Sequence, residues 1–212
     1  TVEVVERAFA TALQGRMGPV VIALPEDILH EDGGPAPIRP VTPAKAALDP
    51  AFVDQVRARL SKAERPLLVL GGSGWTEEAA AVLGDWAERI GLPVALSFRR
   101  KDILSNDRPN YAGDLGLGCN PKLTARAKAA DLILGIGARL GENPTQGYTL
   151  FDRAHTAKTL IHIHPGAEEL GRVWTPLLSA TADNSLAAHA LSAIDPGRTW
   201  HDEAAAAHAD YQ

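Results

Sequence analysis

One cysteine, Cys119, stands among 212 residues. A lone thiol excludes an internal disulfide framework and a multi-cysteine zinc knuckle. A basic excess is also missing: 21 Lys plus Arg face 26 Asp plus Glu, for a net charge of -5. A nucleic-acid partner, which calls for a basic stripe that neutralises phosphates, is therefore not expected. No apolar run approaches the roughly 20 residues that span a bilayer, and no basic-then-apolar leader opens the chain. The expectation is a soluble, cytoplasmic protein with no membrane partner. Methionine occurs once, at Met17, and the chain opens at Thr1 inside a helical pattern.

What is present is 45% hydrophobic and 22% charged. A chain of this size buries roughly 70% of the surface its unfolded form exposes, so it builds a core without metals or disulfides. Val2, Val5, Phe9, Ala12 and Leu13 recur at spacings of three and four. They predict an amphipathic helix with one buried stripe. GRMGP (15–19) ends it, and PVVIAL (19–24) predicts a short buried strand. From Pro25 to Pro50 the pattern stops, with Pro35, Pro37, Pro40 and Pro43 and the pair Gly33–Gly34 between. So long a stretch without elements is rare inside one domain and normal between two. A helix and one strand form no core of their own. They are therefore expected to pack on further chain.

After the proline-rich stretch, helix and strand alternate. Asp49 and Pro50 start a helix to about Leu60, and PLLVLG (66–71) is a strand. Thr76 caps a helix to Ile90, with Glu77 and Glu78 in its first turn. PVAL (93–96) is the next strand. Asn120 and Pro121 open a helix to about Ala130, followed by the strand DLILGIG (131–137). TLIHIH (159–164) comes after an irregular segment, then a helical turn at AEELG, a strand at PLLSA (176–180) and a helix over 184–194. The tail from Trp200 reads as an alanine-rich helix with little to bury except Trp200 and Tyr211. Short apolar strands separated by helices predict a mainly parallel sheet covered on both faces.

Three loops at predicted strand ends are candidates for ligand contact, since doubly wound folds bind there. GGSGW (71–75) lies between a strand and a helix start, where backbone N–H groups suit phosphate. Its glycines do not complete a dinucleotide fingerprint, because Glu77 stands where the third belongs, and a plain tight turn explains them equally. SFRRKD (97–102) brings Arg99, Arg100 and Lys101 beyond the next strand, as a pyrophosphate-holding turn or a solvated basic one. GIGARLGENPTQG (135–147) places Arg139 directly after a strand. His162 and His164 share one side of theirs. A metal site needs more ligands, for which His155, Asp152 and Cys119 are unfixed candidates. His164 beside Pro165 is the better candidate for the loop crevice. No nucleophile elbow, Walker loop or carboxylate pair appears, so no catalytic residue and no metal ligand is assigned.

GRMGPVVIALPEDIL (15–29), RPLLVLGGSGW (65–75), AADLILGIGARL (129–140) and LIHIHPGAEELGR (160–172), in this order, resemble the acetolactate synthase-like group of thiamine-diphosphate-dependent enzymes. The resemblance implies four parts. Residues 1–29 are the end of a pyrimidine-binding domain, 30–48 a Pro/Gly-rich linker, 49–196 a complete central domain, and 197–212 a helix leading to a third domain. The implied fold is a doubly wound, Rossmann-like α/β unit with six mostly parallel strands, preceded by a helix–strand remnant.

It further implies a parent enzyme that uses thiamine diphosphate and Mg²⁺ to ligate or decarboxylate a 2-oxo acid. The activating glutamate and the GDG motif of that chemistry are not in this sequence, and GDL at 113–115 is no substitute. The fragment alone is expected to be inactive and the parent a homodimer or homotetramer. In this group the central domain holds FAD in some members. The residues mapping to that crevice are Gly72, Ser73, Gly74, Arg99, Gly137, Ala138 and Arg139, and His164 joins them as a candidate from its place at its strand's end. Where synthases usually carry aspartates, this chain has His162 and His164. A second expectation is a stand-alone nucleotide-binding or oligomerisation module with a deacetylase-like α/β fold.

Overall fold

Six strands line up as β3-β2-β1-β4-β5-β6, every neighbouring pair parallel, in the computed structural model of the chain. The structure describes residues 2–34, 37 and 39–212. Thr1, the predicted start of the first helix, and Pro35, Ala36 and Ile38 of the proline-rich stretch lie outside them.

The strands are β1 (Pro66–Leu70), β2 (Val94–Ser97), β3 (Tyr111–Leu115), β4 (Leu132–Ile136), β5 (Leu160–His164) and β6 (Leu178–Thr181). All of β1, β4 and β5 is buried, which explains the continuous apolar runs of β1 and β4: both faces of the sheet are covered. Leu68 and Leu70 face one layer, with Val56 and Leu60 of α3 (Pro50–Leu60), Leu83 and Trp86 of α4 (Glu77–Arg89) and Leu191 of α7 (Asn184–Ser192). Leu67 and Val69 point the other way, towards Leu123 and Ala127 of α5 (Pro121–Ala129), Trp174 and Ala207. The predicted caps are in place: Asp49 accepts from the Ala51 N–H, Thr76 from Ala79 and Asn120 from Lys122.

Within the α/β unit, β3 and α6 have no counterpart in the sequence reading. β3 contains Gly113 and Asp114, residues depleted in strands, so its five residues carry little strand signal. α6 (Arg153–Thr159) is seven residues with no apolar periodicity and falls in the segment read as irregular. The tail helix, α8 (His201–Tyr211), buries more than the sequence suggested. Ala204 and Ala207 pack inward, and Arg126 of α5 pairs with Glu203 and Asp210 at 2.7 and 3.2 Å. The rings of Tyr111 and Tyr211 meet edge to face at 4.7 Å.

The start of the chain departs most from expectation. α1 (Val2–Leu13) forms, but none of its residues is buried, and Phe9 is 60% exposed. Residues 19–24 form no strand among the described residues, and Val21 is 91% exposed. The physical reason is that a strand is defined by ladder partners, and here none lies beside PVVIAL. The helix–strand remnant is thus a helix followed by irregular chain and a single helical turn, α2 (Glu26–Leu29).

Candidate functional site

The strand order reverses between β1 and β4, and there the loops after both strands part into a crevice of about 510 Å³. This is the position at which open parallel sheets offer a ligand site. Two glycines make the floor possible. Gly72 has φ of +71° and its α-carbon faces the Gly137 carbonyl. Gly137 has φ of +67°, and a side chain there would meet Gly71 O at 2.5 Å and the Asn184 amide. The two loops are pressed together backbone to backbone, so these glycines are required by packing whether or not a ligand binds.

The carbonyls of the first loop are tied down from behind. Trp75 Nε1 donates to Gly71 O at 2.8 Å, Asn184 Nδ2 to Ser73 O at 2.8 Å and Ser185 Oγ to Gly74 O at 3.1 Å. In trans peptides the next N–H points opposite to each carbonyl, so the amides of Gly72, Gly74 and Trp75 turn away from those anchors.

Of the eight residues picked from sequence, Gly72, Ser73, Gly137, Arg139 and His164 line the crevice together. Gly74, Arg99 and Ala138 do not. Gly74 is off the lining, its α-carbon facing the Met17 side chain, and Ala138 is fully buried. Arg99 sits in the left-handed region at φ 61° and lays its guanidinium over Phe98, 5.1 Å from the ring centre. Arg100 takes its place on the lining, held by Asp102 through two 3.0 Å bonds. That pairing holds the Asp102 carboxyl below its usual range. Lys101 pairs with Asp114 at 2.9 Å, which raises its pKa.

His162 and His164 do share one side of β5, 6.0 Å apart between ring centres. His162 Nε2 lies 2.9 Å from Ala138 O. His164 Nδ1 lies 3.0 Å from both the carbonyl oxygen and the N–H of Gly166. Burial pushes both pKa values down, so both rings are neutral at pH 7. Among the described residues no three His, Cys, Asp or Glu side chains gather as a metal cluster.

Sequence reasoning missed several lining residues: Arg16, Met17, Phe98 and Tyr148. Arg16 reaches Glu169, 153 positions away, and no local pattern announces such a contact. Glu169 is only 4% exposed and also meets Arg139 at 3.3 Å and Arg172 at 3.1 Å. The crevice therefore offers aromatic walls, backbone amides and guanidinium groups. It can hold a planar, anionic molecule.

Comparison with known proteins agrees with this anatomy. The family profile described as thiamine pyrophosphate enzyme, central domain, matches residues 53–191. Glyoxylate carboligase of Escherichia coli O157:H7 is 28% identical over 183 residues, 85% of this chain and 30% of that protein. Acetolactate synthase 2, chloroplastic, of Zea mays is 29% identical over 215 residues, 94% of this chain and 33% of that protein. Benzoylformate decarboxylase from Polynucleobacter necessarius has the same fold, with a TM-score of 0.71 at 22% identity over 90% of this chain and 35% of that one. The chain spans about a third of the length of these relatives. It belongs to the thiamine pyrophosphate enzyme family, whose central domain it carries.

Proposed function

We propose that this chain is part of a thiamine-diphosphate-dependent enzyme that ligates or decarboxylates 2-oxo acids, and that its α/β unit is a scaffold whose crevice accommodates FAD. The match of residues 53–191 to the family's central domain carries the first half. In this reading residues 1–29 close a pyrimidine-binding domain, 30–48 are a linker, 49–196 the central domain and 197–212 lead on. Thiamine diphosphate and Mg²⁺ are held by other segments of a cytoplasmic parent. No helix here is long and apolar enough to cross a membrane. The uncovered apolar face of α1, with Phe9 and Leu13 beside Val41, is where the rest of the first domain packs. The parent assembles as a homodimer or homotetramer.

The residues present fit a flavin nucleotide in position and chemistry. The lining combines Gly72, Ser73 and Gly137 backbone with Arg139, Arg100 and the Phe98 and Tyr148 rings. Bound here, FAD would supply a planar ring system and a diphosphate, which Gly72, Ser73, Gly137, Arg100 and Arg139 would hold. The chain's own part is to bind and orient: Arg139 and Arg100 offer charge-assisted donors, and His164 lines the same crevice. Purification of the full-length parent tests both halves. A 2-oxo acid turnover that needs thiamine diphosphate and Mg²⁺, together with the visible flavin absorbance band, is expected. Turnover without that band removes the flavin half, and no turnover of any 2-oxo acid removes the enzyme half.

A further inference from the structure

The segment ahead of the proline-rich stretch meets the α/β unit through the turn that follows α1. No residue of α1 itself is buried. Among the described residues, one hydrogen bond joins residues 2–34 to residues 48–212, and it runs from Arg16 to Glu169. Gly15 and Met17 flank that bond. A β-carbon at Gly15 would stand 3.4 Å from Pro165 O, and the Met17 methyl faces the α-carbon of Gly74. Glu169 closes the short turn Ala167–Glu169 after β5, and its side chain is 4% exposed. Its Oε1 accepts from Arg16 Nη1 at 2.6 Å and from Arg172 Nη1 at 3.1 Å, while its Oε2 lies 3.3 Å from Arg139 Nε. Two of these three guanidinium groups belong to the α/β unit itself.

We infer that Arg16 and Glu169 form a releasable latch, which holds the segment before the proline-rich stretch against the α/β unit and can open while that unit stays folded. Glu169 is the fixed half. Arg139 and Arg172 hold its carboxylate in place, so Arg16 meets an acceptor that is already oriented. Arg16 is the movable half, with a side chain 41% exposed. When it leaves, Glu169 keeps two guanidinium partners, and no buried charge is orphaned. The proline-rich stretch suits a hinge. The Arg39 N–H donates to Glu6 of α1 at 3.1 Å, whereas Ala46 O accepts from the Asp183 N–H at 2.9 Å. Residues 40–45 are therefore the span between a part tied to α1 and a part tied to the α/β unit. A span this short makes closure intramolecular and favours it through a high effective concentration. These contacts lie within the chain and involve no cofactor or substrate, so the latch stands or falls apart from the flavin and 2-oxo acid readings. In the parent, it would set whatever packs on α1 at a fixed place beside the α/β unit.

Met17 is the only methionine, so labelled methionine methyls give the latch one internal reporter in NMR spectra of the 212-residue chain. In the wild type its methyl is expected to show nuclear Overhauser contacts to Gly74. Arg16→Gln removes them and speeds hydrogen exchange at the Gln14 and Gly18 amides about tenfold, the equivalent of one charge-assisted bond. Arg7→Gln, which removes the same charge from exposed α1, changes neither reading. Glu169→Gln also frees Met17. All four tryptophans follow the proline-rich stretch, so their fluorescence in urea tracks the α/β unit alone. Its midpoint falls less in Arg16→Gln than in Glu169→Gln, which leaves three guanidinium groups facing one another. Should Glu169→Gln not fold, Arg16→Gln and Arg7→Gln decide alone. Three results overturn the latch: no Met17 contact in the wild type, contacts that persist in Arg16→Gln, or an equal release in Arg7→Gln. A midpoint that falls as far in Arg16→Gln as in a folded Glu169→Gln overturns its release from an intact unit.

Discussion

The Asn184 amide donates to the Ser73 carbonyl across 2.8 Å, joining the start of α7 to the loop after β1. Asn184 is 1% exposed, and its Oδ1 has no partner among the described residues. The bond is therefore the one contact that its polar head makes, in dry surroundings. Asn184→Ala is expected to cost about 1–2 kcal/mol in urea unfolding. It should also weaken crevice ligands, since the loop loses an anchor. An unchanged unfolding midpoint would show that the anchor is idle.

Gly72 and Gly118 share a φ of +71° but not their surroundings. A side chain at Gly72 runs into the Gly137 carbonyl, whereas one at Gly118 meets nothing within 4 Å. Gly118→Ala should cost about 1 kcal/mol, from backbone conformation alone. Gly72→Ala adds overpacking against backbone and should cost about 2–4 kcal/mol. Equal losses in thermal unfolding would refute the close-approach account.

Tyr111 buries its ring at 1% exposure, with no hydrogen-bond partner for its hydroxyl among the described residues. Burial raises its pKa well above the ordinary tyrosine value. Tyr111→Phe removes an unsatisfied group and keeps the edge-to-face contact with Tyr211. Stability is expected to stay level or rise by up to about 1 kcal/mol. A loss beyond that range in chemical denaturation would mean that the hydroxyl is satisfied.

Histidine sets the acid side of the stability curve. His162 and His164 have folded pKa values below 6.5 because burial disfavours their charged forms. The unfolded chain then binds more protons than the folded one in the window between the folded values and 6.5. Stability is full above pH 6.5 and falls as pH drops through that window. Asp102, also lowered, acts only at more acid pH. Unfolding midpoints at pH 7.5 and 5.5 should differ in the wild type and converge in a His162→Gln, His164→Gln double variant. A midpoint independent of pH in the wild type would contradict neutral burial.

How much of this was legible beforehand depends on whether the signal is local. The caps at Asp49, Thr76 and Asn120 are read from a few residues and appear as expected. So do the apolar runs of β1 and β4, because burial on both faces imposes a pattern on five residues at a time. β3 escaped because its glycine and aspartate are poor strand formers and its place comes from pairing with β2. PVVIAL has the composition of a strand and lacks a partner, the reverse case. In the crevice, the glycine loops and Arg139 announce themselves by following strands. Arg16 does not, since its contact with Glu169 is fixed only when the whole sheet is assembled. Arg99 and Arg100 could not be told apart, because the positive φ that turns Arg99 outward belongs to the folded turn.

The reversal of strand order also has a consequence for biosynthesis. β1 pairs on one side with β2, which soon follows it, and on the other with β4, where Pro66 lies opposite Leu132. A ribosome that has released β1, β2 and β3 has made half a sheet whose innermost strand still bares an edge of unpaired backbone N–H and C=O groups. That edge stays open until β4 emerges, and bared strand edges are where nascent chains pair wrongly. The central seam thus closes only after the β3–β2–β1 half is complete, and the crevice above it comes into being at that step.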